Sequence, residues 1–155
     1  EVLTMNPPGF QHGLLCSRID FLIRYYLEIH DIGQVVTNDT GVITRRDPDT
    51  VRGADVAYYS YETTPKGEVF KEYPPGPPQI VVEVLSPNDK KSVIATKVAE
   101  YLAVGVAVVC VADPEKLQVT VHRADDDVRQ LQGDDLWEFP EHLPGFSIPV
   151  GKIFS

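Results

Sequence analysis

Cysteine, long apolar runs and basic charge are what this chain has least of, and each scarcity excludes something. The two cysteines, Cys16 and Cys110, are too few for a disulfide framework or a zinc knuckle. Both lie in apolar stretches and read as reduced core residues, which fits a cytoplasmic protein. The longest apolar run, Val106 to Ala112, falls far short of the ~18 residues that suggest a membrane span. No signal peptide is visible. Gly53 and Gly76 are isolated turn glycines and not a phosphate cradle, so no organic cofactor is indicated. Ser60 and Ser86 have no His–acid pattern near them, which argues against a serine hydrolase. His30, His122 and His142 show no ligand spacing.

Basic residues number 14 against 23 acids, a net charge of −9. That balance disfavours broad nucleic-acid affinity. The charge is unevenly spread, however. Residues 113–142 hold nine acids and three Lys/Arg, whereas residues 45–97 hold eight of each. Two of those eight acids are Asp55 and Glu83, so a divalent cation bound to them would leave this region locally positive.

Apolar residues make up 43% of the 155, enough for one globular domain, 1–155, with a genuine core. Glu1 to Met5 reads as a short strand. Phe10 to Asp31 reads as a helix with an apolar stripe of Leu15, Ile19, Leu22, Ile23, Tyr26 and Leu27, ended by Gly33. Gly33 to Thr44 suggests two short strands around the hairpin signal Asn38-Asp39-Thr40-Gly41. Arg45 to Gly53 reads as a loop and Asp55 to Ser60 as a strand. Tyr61 to Pro78, with five prolines, is a long functional or disordered connection. Strands are expected at Gln79–Leu85, Val106–Ala112, Leu117–Arg123 and Val128–Gln132. A helix from Lys90 to Val104, closed by Gly105, lies between the first two of these, and a packed return segment ends the chain. This order gives an α+β fold, α/β/α-like, with a mixed sheet flanked by helices.

The chemistry is signalled by misplaced charge. Glu83 interrupts Ile80-Val81-Val82-Glu83-Val84-Leu85, a run that reads as a strand buried on both faces. Burying an unpaired carboxylate costs several kcal/mol, so something must compensate it. Lys97 sits within the apolar stripe of Val93, Ile94, Val98 and Tyr101. Asp55 opens the strand Asp55-Val56-Ala57-Tyr58-Tyr59. Two carboxylates on neighbouring strands can hold Mg²⁺ or Mn²⁺, and a nearby ammonium can orient water and stabilise phosphoryl charge. The competing reading is a structural Glu83–Lys97 ion pair with Asp55 at a strand edge. Lys90 and Lys91 begin a helix, where cations are unfavourable unless they meet phosphate; the plainer reading is two solvated lysines. Lys66 and Lys71 flank tyrosines in the long loop, a mixture suited to single strands but equally to a plain surface loop. His12, before Gly13, is a secondary candidate.

These residues carry a family resemblance. Met5-Asn6-Pro7-Pro8 with His12-Gly13, Arg46-Asp47-Pro48-Asp49-Thr50-Val51-Arg52-Gly53-Ala54-Asp55-Val56-Ala57, Val82-Glu83-Val84-Leu85-Ser86-Pro87-Asn88-Asp89, Lys97 to Tyr101, Ala103-Val104-Gly105-Val106, Ala112-Asp113-Pro114 and Leu143-Pro144-Gly145-Phe146 together resemble the Uma-two family of restriction-endonuclease domains. That family lies in the PD-(D/E)XK nuclease superfamily. The resemblance implies a restriction-endonuclease-like core, with Asp55 as the Asp of the first half-motif, Glu83 as the second acid and the Val84 backbone carbonyl as a further metal ligand. Ala54 replaces the motif's proline. Leu85 stands where its lysine is expected, and Lys97 on the following helix matches the displaced lysine. The resemblance further implies a segment before Glu1, where another acidic ligand could lie. The resulting expectation is a Mg²⁺- or Mn²⁺-dependent endonuclease acting on DNA as a homodimer. The rival is an inactive nuclease fold used as a nucleic-acid-binding or protein-interaction module.

Overall fold

A computed structural model describes residues 7–155; the expected strand at Glu1–Met5 and the first two residues of the Met5-Asn6-Pro7-Pro8 motif lie outside them. Helix α1 (Phe10–Ile29) is followed by β1 (Gly33–Arg45), β2 (Thr50–Ser60) and β3 (Ile80–Val84). Helix α2 (Lys91–Val104) leads to β4 (Val108–Asp113), β5 (Gln118–His122) and β6 (Arg129–Gln132). A hairpin of β7 (Leu136–Phe139) and β8 (Leu143–Pro149) and a short helix α3 (Gly151–Phe154) complete the chain. Strands β1 to β6 form one sheet in chain order, and β7–β8 form a second, two-stranded sheet.

Within the large sheet only β3 and β4 are parallel. A parallel pair needs a crossover connection, and α2 supplies it. Being central, β3 is buried at every position, which explains its uninterrupted apolar sequence apart from Glu83. One face of the sheet packs Val56, Tyr58, Ile80 and Val82 against Ile19 and Ile23 of α1. Trp137, Phe139, Leu143 and Phe146 of the small sheet join that layer. The opposite face packs Ala57, Tyr59, Val81 and Val109 against Val98 and Tyr101 of α2. The mixed α+β architecture with helices on both faces is the one expected.

Several local expectations need correction. The Asn38-Asp39-Thr40-Gly41 signal does not turn the chain: β1 runs through it, and both parts pair with β2. Asn38 and Asp39 have positive φ (68° and 56°) and lie where the register shifts by one residue. They form a β-bulge, two residues facing the single Asp55. Asn and Asp tolerate left-handed φ, so the same chemistry that favours a hairpin also serves a bulge. The real turn is Arg46–Asp49, and Thr50–Gly53, expected as loop, already belongs to β2. Gly33 does not end α1; His30 caps it, and Gly33 opens β1. A side chain at Gly33 would meet the Tyr59 carbonyl at 2.4 Å, so close backbone packing is the reason for glycine there. Gly105 does close α2, with φ 106°. Val93 is exposed, so α2 buries a narrow stripe centred on Val98 and Tyr101, with Lys97 at its margin. Cys110 is a core thiol that receives the Trp137 indole N–H at 3.4 Å, but Cys16 is only half-buried. No helix among the described residues is long and apolar enough to cross a membrane.

Candidate active site

The β2–β3 ladder pairs Val56–Tyr58 with Ile80–Val82. One step further, Asp55 and Glu83 would face each other. There Asp55 Oδ2 accepts the Val84 backbone N–H at 2.8 Å, so a side chain takes over the ladder. The bulge is what frees Asp55 for this. Ala54 and Ala57 belong to the same core layer although three residues apart, whereas unbroken alternation would place them on opposite faces. Asp55 stands at that break in parity. Thr37 Oγ1 holds its backbone carbonyl at 2.8 Å.

The two carboxylates are reached from opposite layers. From α1, His12 Nε2 lies 3.2 Å from Asp55 Oδ2. From α2, Lys97 Nζ lies 3.2 Å from Glu83 Oε2, and the Tyr101 hydroxyl donates to Glu83 Oε1 at 2.8 Å. Lys97 and Tyr101 are four residues apart, so one helical turn places both over β3. The side chains of Asp55 and Glu83 are 9% and 4% exposed, those of His12 and Lys97 14% and 20%. The acids are thus more deeply buried than the basic groups beside them.

Burial pushes the Glu83 carboxyl up to about 7 against the pull of Lys97, and the charge of Asp55 adds to the rise. Burial, then the Glu83 charge, raises Tyr101, which keeps it a neutral donor. Of the two buried acids only Glu83 touches an ammonium; Asp55 has the His12 imidazole and the Val84 N–H. An excess of buried negative oxygen donors is what a hard divalent cation neutralises, so the donor set fits Mg²⁺ or Mn²⁺.

Arg52 and Glu100 brace the site. Arg52 Nε and a terminal guanidinium nitrogen reach the two Glu100 carboxylate oxygens at 2.6 and 2.9 Å, a bidentate clamp from β2 to α2. Arg52 lies three residues before Asp55, and Glu100 lies three after Lys97. Sequence reasoning missed this pair, and it missed Tyr101 as Glu83's partner; the Lys97–Tyr101 spacing was the available signal.

The remaining candidates lie apart. Lys90 and Lys91 are exposed at the N-terminus of α2. By helix rise, Lys90 is roughly 10 Å along the axis from Lys97. Lys66 pairs with Asp31 on the surface, and that carboxylate also takes the Tyr61 hydroxyl at 2.6 Å. Lys66 therefore pins the long loop and is not presented as a free cation. Lys71 is exposed in the same loop.

The profile of the family Uma2, described as "Putative restriction endonuclease", matches residues 1–151. A crystal structure described as "a putative nuclease belonging to DUF820", from Anabaena variabilis, superposes with a TM-score of 0.85 at 16% sequence identity. The match covers 99% of this chain and 86% of that one. At that identity the likeness establishes the fold. No curated protein matches the chain.

Proposed function

The chain belongs to the Uma2 family of restriction-endonuclease-like proteins, and from that premise we propose that it is a Mg²⁺- or Mn²⁺-dependent DNA phosphodiesterase built on Asp55, Glu83 and Lys97. The observation that carries this reading is the burial of two acids at the end of a shared ladder with one ammonium beside them. Asp55, Glu83 and the Val84 carbonyl would hold the ion. When bound, such an ion polarises a phosphoryl oxygen and lowers the pKa of water. The Lys97 ammonium orients the attacking water and stabilises charge developing on the phosphate. Tyr101 fixes one Glu83 oxygen, and the Val84 N–H fixes Asp55. Lys90 and Lys91, with Lys71, contact flanking phosphates.

Mn²⁺ calorimetry tests the site without any knowledge of the substrate. The parent protein is expected to bind Mn²⁺ and Glu83→Gln to lose that binding. Equal heats from both proteins would sink the assignment. One observation favours the rival reading, an inactive fold used as an interaction module: the Glu83–Lys97 pair is already closed at 3.2 Å. An absence of Mn²⁺ binding in either protein, with or without a DNA duplex present, is the result that reading requires.

The outward face of α1 supports a homodimer. Phe10, Leu14, Phe21, Tyr25 and Ile29 are 46–87% exposed and recur at helical spacing, opposite the face that packs on the sheet. Together they offer on the order of 500 Å² of apolar surface, at the upper end for a monomer. A standard interface takes about 800 Å² per partner, so this stripe would form the apolar centre of one and leave the remainder to the polar surface around it. An isologous pairing of two α1 helices uses the same stripe twice. Sedimentation of Phe21→Glu should show a folded monomer, because that side chain touches solvent in the single chain, and its melting temperature should no longer rise with protein concentration as the parent's does. A monomeric parent protein at high micromolar concentration overturns the dimer.

A further inference from the structure

His12 and Cys16 belong to no step of the proposed reaction, yet they converge on one of its carboxylates. They are four residues apart on α1, so both project from one stripe of the helix toward the end of the sheet. There, one donor atom each from His12, Cys16 and Asp55 lie within 4.8 Å of one another. We propose that His12, Cys16 and Asp55 form a binding site for a thiophilic divalent cation of the zinc class, overlapping the oxygen-donor site at Asp55.

The distances support this. With zinc-to-sulfur bonds near 2.3 Å and zinc-to-nitrogen or -oxygen bonds near 2.0–2.2 Å, a tetrahedral site needs about 3.3 Å between nitrogen and oxygen and about 3.6 Å between sulfur and nitrogen. His12 Nε2 is 3.2 Å from Asp55 Oδ2, and Cys16 Sγ is 4.0 Å from the same nitrogen. The sulfur lies nearer Nδ1, at 3.7 Å, so ligation through Nε2 requires the Cys16 side chain to move closer by about 0.4 Å. Sulfur, imidazole and carboxylate together select Zn²⁺ or Co²⁺ over Mg²⁺, which prefers six oxygens. Three protein ligands leave the fourth position for water or a phosphate oxygen. Binding expels the thiol proton to solvent and forms the metal–sulfur bond, so each ion bound from neutral solution releases one proton from Cys16.

The shared carboxylate gives the site a consequence that rests on the proposed function. An ion held by His12 and Cys16 engages Asp55, which then serves the Mg²⁺ or Mn²⁺ site less well. Zn²⁺ is therefore an inhibitor competitive with the activating ion.

Co²⁺ titration of the full chain under reducing conditions is the experiment. A thiolate-to-cobalt band in the near ultraviolet, with intense tetrahedral visible bands, is expected to saturate at one ion per chain. Zn²⁺ should bleach both. Cys16→Ser should abolish the ultraviolet band, and His12→Ala should weaken Co²⁺ binding at least tenfold, a loss in the range known for metal-site partners. Glu83→Gln should retain the band although it loses Mn²⁺ binding. No ultraviolet band in the parent protein, or an undiminished band in Cys16→Ser, overturns the site. A band in both the parent and Glu83→Gln, with no Mn²⁺ binding in either, upholds the thiophilic site while the nuclease reading fails.

Discussion

Glu83→Gln should melt several degrees above the parent protein at pH 8 without metal. The Glu83 carboxyl is raised to about 7 by burial, so the folded state holds this proton more tightly than the unfolded chain does. Stability contributed by Glu83 is therefore fully present at low pH. It is lost as the pH rises from the ordinary carboxylate range toward 7 and stays lost above. Holding the charged form in the fold at pH 8 costs about 3 kcal/mol at one pKa unit per ~1.4 kcal/mol. Glutamine resembles the protonated acid and avoids that cost. For a chain of this length, each kcal/mol moves the melting temperature by about 2–4 °C. The gain should shrink through pH 7 and be absent near pH 4, where parent and variant carry the same charge at this position. Added Mn²⁺ should reverse the order at pH 8, raising the parent's melting temperature and leaving the variant's unchanged. Scanning calorimetry across this pH range measures all of it. A variant less stable than the parent at pH 8 would show that the Lys97 pair outweighs the burial penalty, and the case for a cation-demanding site would fall with it.

Lys97→Ala should lower kcat about 10²–10³-fold with little change in KM, the usual size for loss of one preorganised donor to a developing charge. A second effect separates chemistry from architecture. Lys97 holds the Glu83 carboxyl down against burial. Without it, Glu83 ionises at a higher pH, and the acidic limb of the pH–rate profile moves upward. Lys97→Arg keeps the charge but replaces a compact donor with a planar fork, so it should restore the limb's position better than the rate. A merely structural pair predicts something else: a lower melting temperature, a smaller active fraction and an unmoved limb.

The parts of this fold most legible in the sequence were those with one dominant period. Leu15 to Leu27 announced α1, and Ile80 to Leu85 announced a doubly buried strand. The anomaly of Glu83 within that strand pointed to the site, because burying a charge leaves a sequence signature whatever the tertiary structure does. What escaped was set by residues distant in sequence. Asn38-Asp39 has the same φ preference in a hairpin and in a bulge, and only the pairing of β1 with β2 on both sides decides between them. The β7–β8 hairpin was hidden because Leu136–Phe139 is short and Pro144-Gly145 interrupt the strand that pairs with it. His12 was noticed without a partner, since Asp55 is 43 residues away and meets it only through the packing of α1 on the sheet. Cys16 packs against the core as expected but is only half-buried, with its sulfur beside the His12 imidazole.

The bulge in β1 makes the site depend on arithmetic as well as on chemistry. Asp55 points where it does because β1 spends two residues opposite it. A chain with one residue fewer there would still pair its strands, bury its core and align its Asp with this one. The β1 side chains beyond that point would change faces, since a one-residue slip inverts them, and Asp55 would lose the irregular pairing opposite which it stands. A change of length at positions 38–39 is therefore expected to act on the site although neither residue is one of its proposed ligands. Descent could silence or revive the acid by an insertion or deletion of one codon, in a strand that contributes no ligand of its own.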